Sequence, residues 1–105
     1  MGLTHVGKIS KHKGLKGLCL LKLNSGIEID LNNLKSFYLN IESNLIPIVV
    51  EKLSFLNKEH LLVKFKDHDS REKTSYIIGK EVFIENKKVI YDQKHLSNQI
   101  GRAHV

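Results

Sequence analysis

Apolar and polar residues alternate with a period of two over several short stretches of this chain. From Ser36 to Glu42, Phe37, Leu39 and Ile41 share one face, while Ser36, Tyr38, Asn40 and Glu42 share the other. His60–Lys66 repeats the pattern, with Leu61, Val63 and Phe65 opposite Leu62, Lys64 and Lys66. A period of two predicts half-buried strands. It also predicts that the Phe37/Leu39/Ile41 and Leu61/Val63/Phe65 faces meet in one core. Further strands are expected at Thr4–Ile9, Leu18–Leu23, Ile46–Leu53, Glu81–Glu85 and Lys88–Tyr91. Pro47 lacks a backbone donor and belongs at a strand start or on an edge.

The punctuation between these runs is equally plain. Asn24-Ser25-Gly26, Ser43-Asn44 and Asn57-Lys58-Glu59 are turn signals, and Ile27–Leu34 reads as a loop with room for one helical turn. Asp69 followed by Glu72 is a capping-box signature, and Gly79 is a suitable stop. Together they predict one helix of about two and a half turns. The last two strands are expected to form a hairpin across Asn86-Lys87. Many short strands with one helix fit an all-β chain folded as a small closed antiparallel barrel.

At 105 residues the chain is one domain able to bury a core. Its formal charge of +6 points to a polyanionic partner such as RNA. The charge is concentrated in the segment Val6–Leu23, where Lys8, Lys11, Lys13, Lys16 and Lys22 precede the first acidic residue, Glu28. Gly14 and Gly17 bracket a Leu-Lys pair between two strands, so the chain reverses there on residues that tolerate positive φ. A tight turn bearing lysines can touch phosphate.

Other chemistry is poorly supported. Cys19 is the single cysteine and lies in an apolar run, which predicts a buried, inert thiol rather than a disulfide or a nucleophile. The six histidines have no HxxxH or HExxH spacing, and His68 between Asp67 and Asp69 reads as a solvated loop, so no metal is expected. There is no Walker-type phosphate loop, and Ser10 near His12 has no acidic partner in its segment. No enzymatic activity and no cofactor are expected. The N-terminus shows no signal-peptide pattern and no stretch has the length of a transmembrane helix, so the expectation is a cytoplasmic monomer with no membrane partner.

Val6-Gly7-Lys8-Ile9 followed by Gly14-Leu15-Lys16-Gly17 resembles the opening of the RimM family of ribosome maturation factors. Lys13 departs from the histidine or tyrosine usual before the first turn glycine, with His12 one place earlier. A second anchor about 50 residues on, LLVKFKDHDSREKTSYIIGKEVFI, is similar to the family segment in which a strand meets an Asp-Arg-Glu helix. Here Asp69, Arg71, Glu72, Gly79 and Glu81 hold those places, while Lys73 and Thr74 replace smaller residues. The resemblance implies a six-stranded antiparallel β-barrel of the translation-protein type over residues 1–91 and the start of an interdomain linker over 92–99. On this resemblance the family's second, PRC-type barrel is expected to be missing from the sequence.

It also implies a non-enzymatic factor that binds the immature small ribosomal subunit and assists assembly of its head and 16S rRNA processing. Ribosomal RNA would be met by Lys8, Lys11, His12, Lys13 and Lys16, with Gly7, Gly14 and Gly17 as structural turn residues. Small-subunit ribosomal protein S-nineteen would be met mainly through the missing domain. A generic basic β-barrel that binds RNA without ribosomal specificity is the alternative. A protein-interaction module with incidental charge is a third. No stacking platform for unpaired bases is expected, and Tyr38 on the open face is the sole candidate. Ile100–Val105 back-translates to a common sequencing-adapter oligonucleotide, so residues 100–105 are expected to be a non-native tail.

Overall fold

In the computed structural model, which describes residues 2–32 and 34–92, the period-two runs become strands. They are β1 (Leu3–His12), β2 (Leu18–Leu23), β3 (Ile27–Ile29), β4 (Ser36–Ile41), β5 (Asn44–Asn57), β6 (His60–Phe65), β7 (Glu81–Glu85) and β8 (Val89–Asp92). Six of them close into a barrel in the order β1-β2-β6-β5-β4-β7, and β3 pairs with β8 in a separate two-stranded sheet. All pairings are antiparallel.

The inward faces meet as the alternation requires. Phe37, Leu39, Leu61, Val63 and Phe65 are fully buried with Val6, Ile9, Leu21, Val82 and Ile84, and Ile41 packs half-buried against them. The Phe37 and Phe65 rings meet edge to face at 6.2 Å. Ile27 and Ile29 of β3 add to the same core.

β5 is longer than its apolar run indicates and serves two neighbours. Residues 44–49 pair with β4, and Val50–Asn57 pair with β6. The Val50 N–H donates to Lys35 O, and the Lys66 N–H donates to Val49 O. Backbone groups at 49, and two residues earlier at 47, therefore face the β6 side. Pro47 directs its missing donor toward an edge that has no strand partner there, which is how a proline is accommodated in a barrel strand.

The structure corrects five details. Ile27–Leu34 is not all loop, because Ile27 and Ile29 are buried with Glu28 turned outward, a run too short for its alternation to stand out. β8 does not form a hairpin with β7, whose two edges are already taken by β1 and β4. Instead Asn86–Lys88 form a 3-10 turn and β8 continues through Asp92 alongside β3. The tight turn after β4 lies at Glu42-Ser43, both at positive φ, one residue earlier than the turn signal. The helix α1 (Arg71–Thr74) is a single turn continued by a 3-10 turn at Ser75–Ile77. Its cap is Ser70, whose Oγ accepts from the Lys73 N–H, because the Asp69 carboxylate is engaged elsewhere. Expectations for 93–105, including the tail at Ile100–Val105, lie outside the described residues.

Asp69 accepts from Lys64 Nζ at 2.7 Å, and Glu51 accepts from the same ammonium at 3.1 Å. Lys64 is only 13% exposed, so this bridge ties β6 and β5 to the segment entering α1. The hydrogen bond to Lys64 holds the Asp69 carboxyl below its ordinary range, and the same bond raises Lys64. A depressed carboxyl contributes stability above its ordinary value, about 3.9, that is lost as pH falls through the folded value. A raised lysine contributes below its ordinary value and loses this contribution at higher, alkaline pH.

Two outcomes follow for urea unfolding. Phe65→Ala, which empties a fully buried ring site, is expected to cost about 3–5 kcal/mol. Lys64→Met is expected to lower stability at neutral pH, with the deficit shrinking as pH falls below about 3.9. A deficit independent of pH would mean that the bridge contributes nothing.

Candidate nucleic-acid interface

The reversal between β1 and β2 is built from the backbone outward. The Lys13 N–H donates to Leu18 O at 2.8 Å and closes the turn. Gly14 and Gly17 adopt φ of +83° and +91°, which a side chain would strain. At the tip Leu15 is 72% exposed, and Lys13 and Lys16 stand exposed around it. Gly17 is buried, and a Cβ there would lie 2.0 Å from His68 O. The Arg71 N–H donates to Leu15 O at 3.2 Å. The lysine turn is thus docked on the segment that enters α1.

That segment is itself fixed. Asp67 takes φ of +65°, and Asp69 is held by Lys64. The His68 ring packs edge-on against buried Phe65 at 6.2 Å. Its Nδ1 lies 2.8 Å from Lys66 O and its Nε2 lies 2.7 Å from the Tyr76 hydroxyl. A carbonyl can only accept, so in the neutral ring Nδ1 carries the proton and Nε2 accepts from Tyr76. Burial raises the Tyr76 phenol above its ordinary range, although the ring is 48% exposed.

The five expected RNA-facing residues separate into three settings. Lys13 and Lys16 lie on the turn. Lys11 is exposed because a register shift between Ile9 and Lys11 interrupts the alternation, leaving Ser10 and Lys11 both outward. The same shift turns His12 inward, where its Nε2 is buried without a hydrogen-bond partner among the described residues. That nitrogen is unavailable to a phosphate. Lys8 sits mid-strand, opposite Lys22 on β2 and Glu81 on β7, away from the turn. Gly14 and Gly17 are turn residues as expected. Gly7 is not, since it lies inside β1, where a Cβ would meet Lys22 O at 2.2 Å. It permits close approach of β1 and β2.

Tyr38 is half-buried in the ladder, paired with Pro47 and Phe83. Sequence reasoning missed that half-buried His68 and exposed Arg71 adjoin the docked turn. Residues 68 and 71 lie more than 50 positions from Gly17, and no local pattern connects them. Cys19 is buried, and burial raises its thiol above the ordinary value. Among the described residues no group of His, Cys, Asp and Glu side chains is placed to hold a metal ion. No described helix is long and apolar enough to cross a membrane.

The family model of the RimM N-terminal domain matches residues 4–89. The ribosome maturation factor RimM of Mesoplasma florum is 33% identical over 101 residues, covering 90% of this chain and 60% of that protein. RimM of Flavobacterium psychrophilum is 29% identical over 83 residues, covering 79% and 48%. The solution structure of the N-terminal domain of RimM from Thermus thermophilus superposes with a TM-score of 0.63 at 20% identity, covering 84% of this chain and 94% of that one. A crystal structure from Pseudomonas aeruginosa, described as a 16S ribosomal RNA processing protein RimM, gives 0.64 at 22% identity, covering 81% and 51%. These two likenesses establish the fold, and the chain spans about half the length of the curated relatives it matches. With the family model extending over most of the barrel, from β1 into β8, the chain belongs to the RimM family and corresponds to its N-terminal domain.

Proposed function

We propose that this chain acts, without enzymatic chemistry, in ribosome maturation by docking on the immature small subunit through ribosomal RNA. One observation supports this reading above others: Lys11, Lys13 and Lys16 are exposed around a docked turn, and none enters an ion pair among the described residues. Lysines without carboxylate partners are free to displace counterions from a phosphate backbone. The relatives' name, ribosome maturation factor, supports a ribosomal setting for that contact.

In the finer form of the proposal, the domain assists assembly of the subunit head and 16S rRNA processing as a cytoplasmic monomer. Contact with ribosomal protein S-nineteen would come mainly from the half of the relatives' length that this chain does not span.

Replacing Lys11, Lys13 and Lys16 together by Gln tests the docking surface. Binding to immature small subunits is expected to weaken, and the dependence of log affinity on log salt to flatten by about 0.7–0.9 per lost phosphate contact. The unfolding midpoint should hold, since all three side chains are exposed. A random single-stranded RNA of equal length is the control. Preference for the subunit supports maturation, whereas equal binding supports the generic RNA-binding alternative. An unchanged affinity and salt slope would reduce the turn to a solvated loop.

A further inference from the structure

Beside the basic turn, the β4–β5 hairpin and residues 66–68 enclose an open groove of about 500 Å³. Ile46, Pro47 and Val49 of β5 line it together with Lys66, Asp67, His68 and Tyr76. Ile46 is 39%, Val49 50% and Tyr76 48% exposed, so the apolar surface here is accessible. The His68 and Tyr76 rings lie 5.7 Å apart at an interplanar angle of 32°. We propose that this groove is a subsite for an unpaired nucleobase of single-stranded RNA, which stacks on the Tyr76–His68 pair while its flanking phosphates reach the lysine turn.

The proposal rests on the docking role of the lysine turn and extends it. Stacking on aromatic rings is the common way proteins hold splayed-out bases, and it is strongest where the ring is already fixed. Both rings are fixed here. Tyr76 is tethered to His68, and His68 is tethered to the Lys66 carbonyl and wedged on Phe65. Little side-chain entropy is left to lose on binding.

Charge favours a nucleotide over an apolar peptide. Lys66 lies on the groove, and the turn bearing Lys13 and Lys16 touches its wall through Gly17 and His68. Asp67 is the carboxylate among the lining residues. It makes the groove itself poor for a phosphate, yet it can accept from an amino or imino group on a base edge. The arrangement therefore sorts the parts of a nucleotide, with the base in the groove and phosphate on the lysines.

The test uses the whole chain and a short single-stranded oligoribonucleotide carrying the fluorescent base analogue aminopurine. Its fluorescence is expected to be quenched on binding. Replacing that base by an abasic site is expected to weaken binding about 5- to 140-fold, the range of one base–aromatic stack. Tyr76→Ala should give the same loss with the salt slope intact, whereas Tyr76→Phe should keep most of the affinity. The Lys11/Lys13/Lys16→Gln variant should do the reverse, flattening the salt slope while keeping the penalty for base removal. The abasic comparison leaves the protein untouched, so it decides the matter even where Tyr76→Ala unfolds. RNA binding with a normal salt slope but no response to base removal overturns the subsite alone, and an apolar peptide would then be the occupant to seek. Failure of the unsubstituted chain to bind any RNA at low salt overturns the docking role as well.

Discussion

Closure of a six-stranded sheet is the constraint on which the rest of this molecule depends. A barrel this small must turn sharply, and straight strands with one partner on each side cannot make the corners. Two long strands supply them. β5 leaves β4 and takes up β6 near Val49, with register shifts at Val50/Lys52 and Phe55/Asn57. β1 passes from β7 to β2 with shifts at His5/Gly7 and Ile9/Lys11. Each shift inserts an unpaired residue and bends the strand, which is what a bulge does.

The bend in β1 is also where fold becomes surface. Without a shift, Ile9 inward would put Lys11 inward as well, a charge in the core beside Cys19 and Leu21. With the shift, Lys11 reaches solvent and the strand delivers the chain into the Lys13–Gly17 turn. The cost falls on His12, rotated inward with Nε2 unsatisfied. The same bulge that closes the barrel thus places one lysine at the candidate interface and withdraws the neighbouring histidine from it.

These effects explain what was legible beforehand. Strands facing one core, such as Phe37–Ile41 and Leu61–Phe65, announce themselves because burial on one side enforces a period of two. Turns at Gly14 and Gly17 announce themselves because the residue type follows from the backbone angle. Bulges have no such signature: nothing in Ile9-Ser10-Lys11 states that the phase changes, so His12 reads as an exposed base. The capping of α1 is hidden for a related reason. Asp69 and Ser70 are both good caps, and only the distant Lys64, which engages Asp69, decides between them. The docking of the lysine turn lay furthest from view, because no local pattern connects Gly17 with His68.

The two kinds of lysine in this chain sharpen the functional reading. Lys64 is nearly buried and held by two carboxylates, so its charge is accounted for by the fold. Lys13 and Lys16 are exposed and enter no ion pair among the described residues. Two like charges about 10 Å apart in water repel by only about 0.4 kcal/mol, and salt screens even that. Exposed lysines therefore could have been scattered over the barrel at no cost. What the structure adds is that the turn bearing them is docked, by the close approach of Gly17 to His68 and by the Arg71 N–H bond to Leu15 O. Solvation alone gives no reason to hold a charged loop in one conformation. Recognition of a phosphate backbone does, because a fixed turn meets its partner without first losing the freedom of a mobile one.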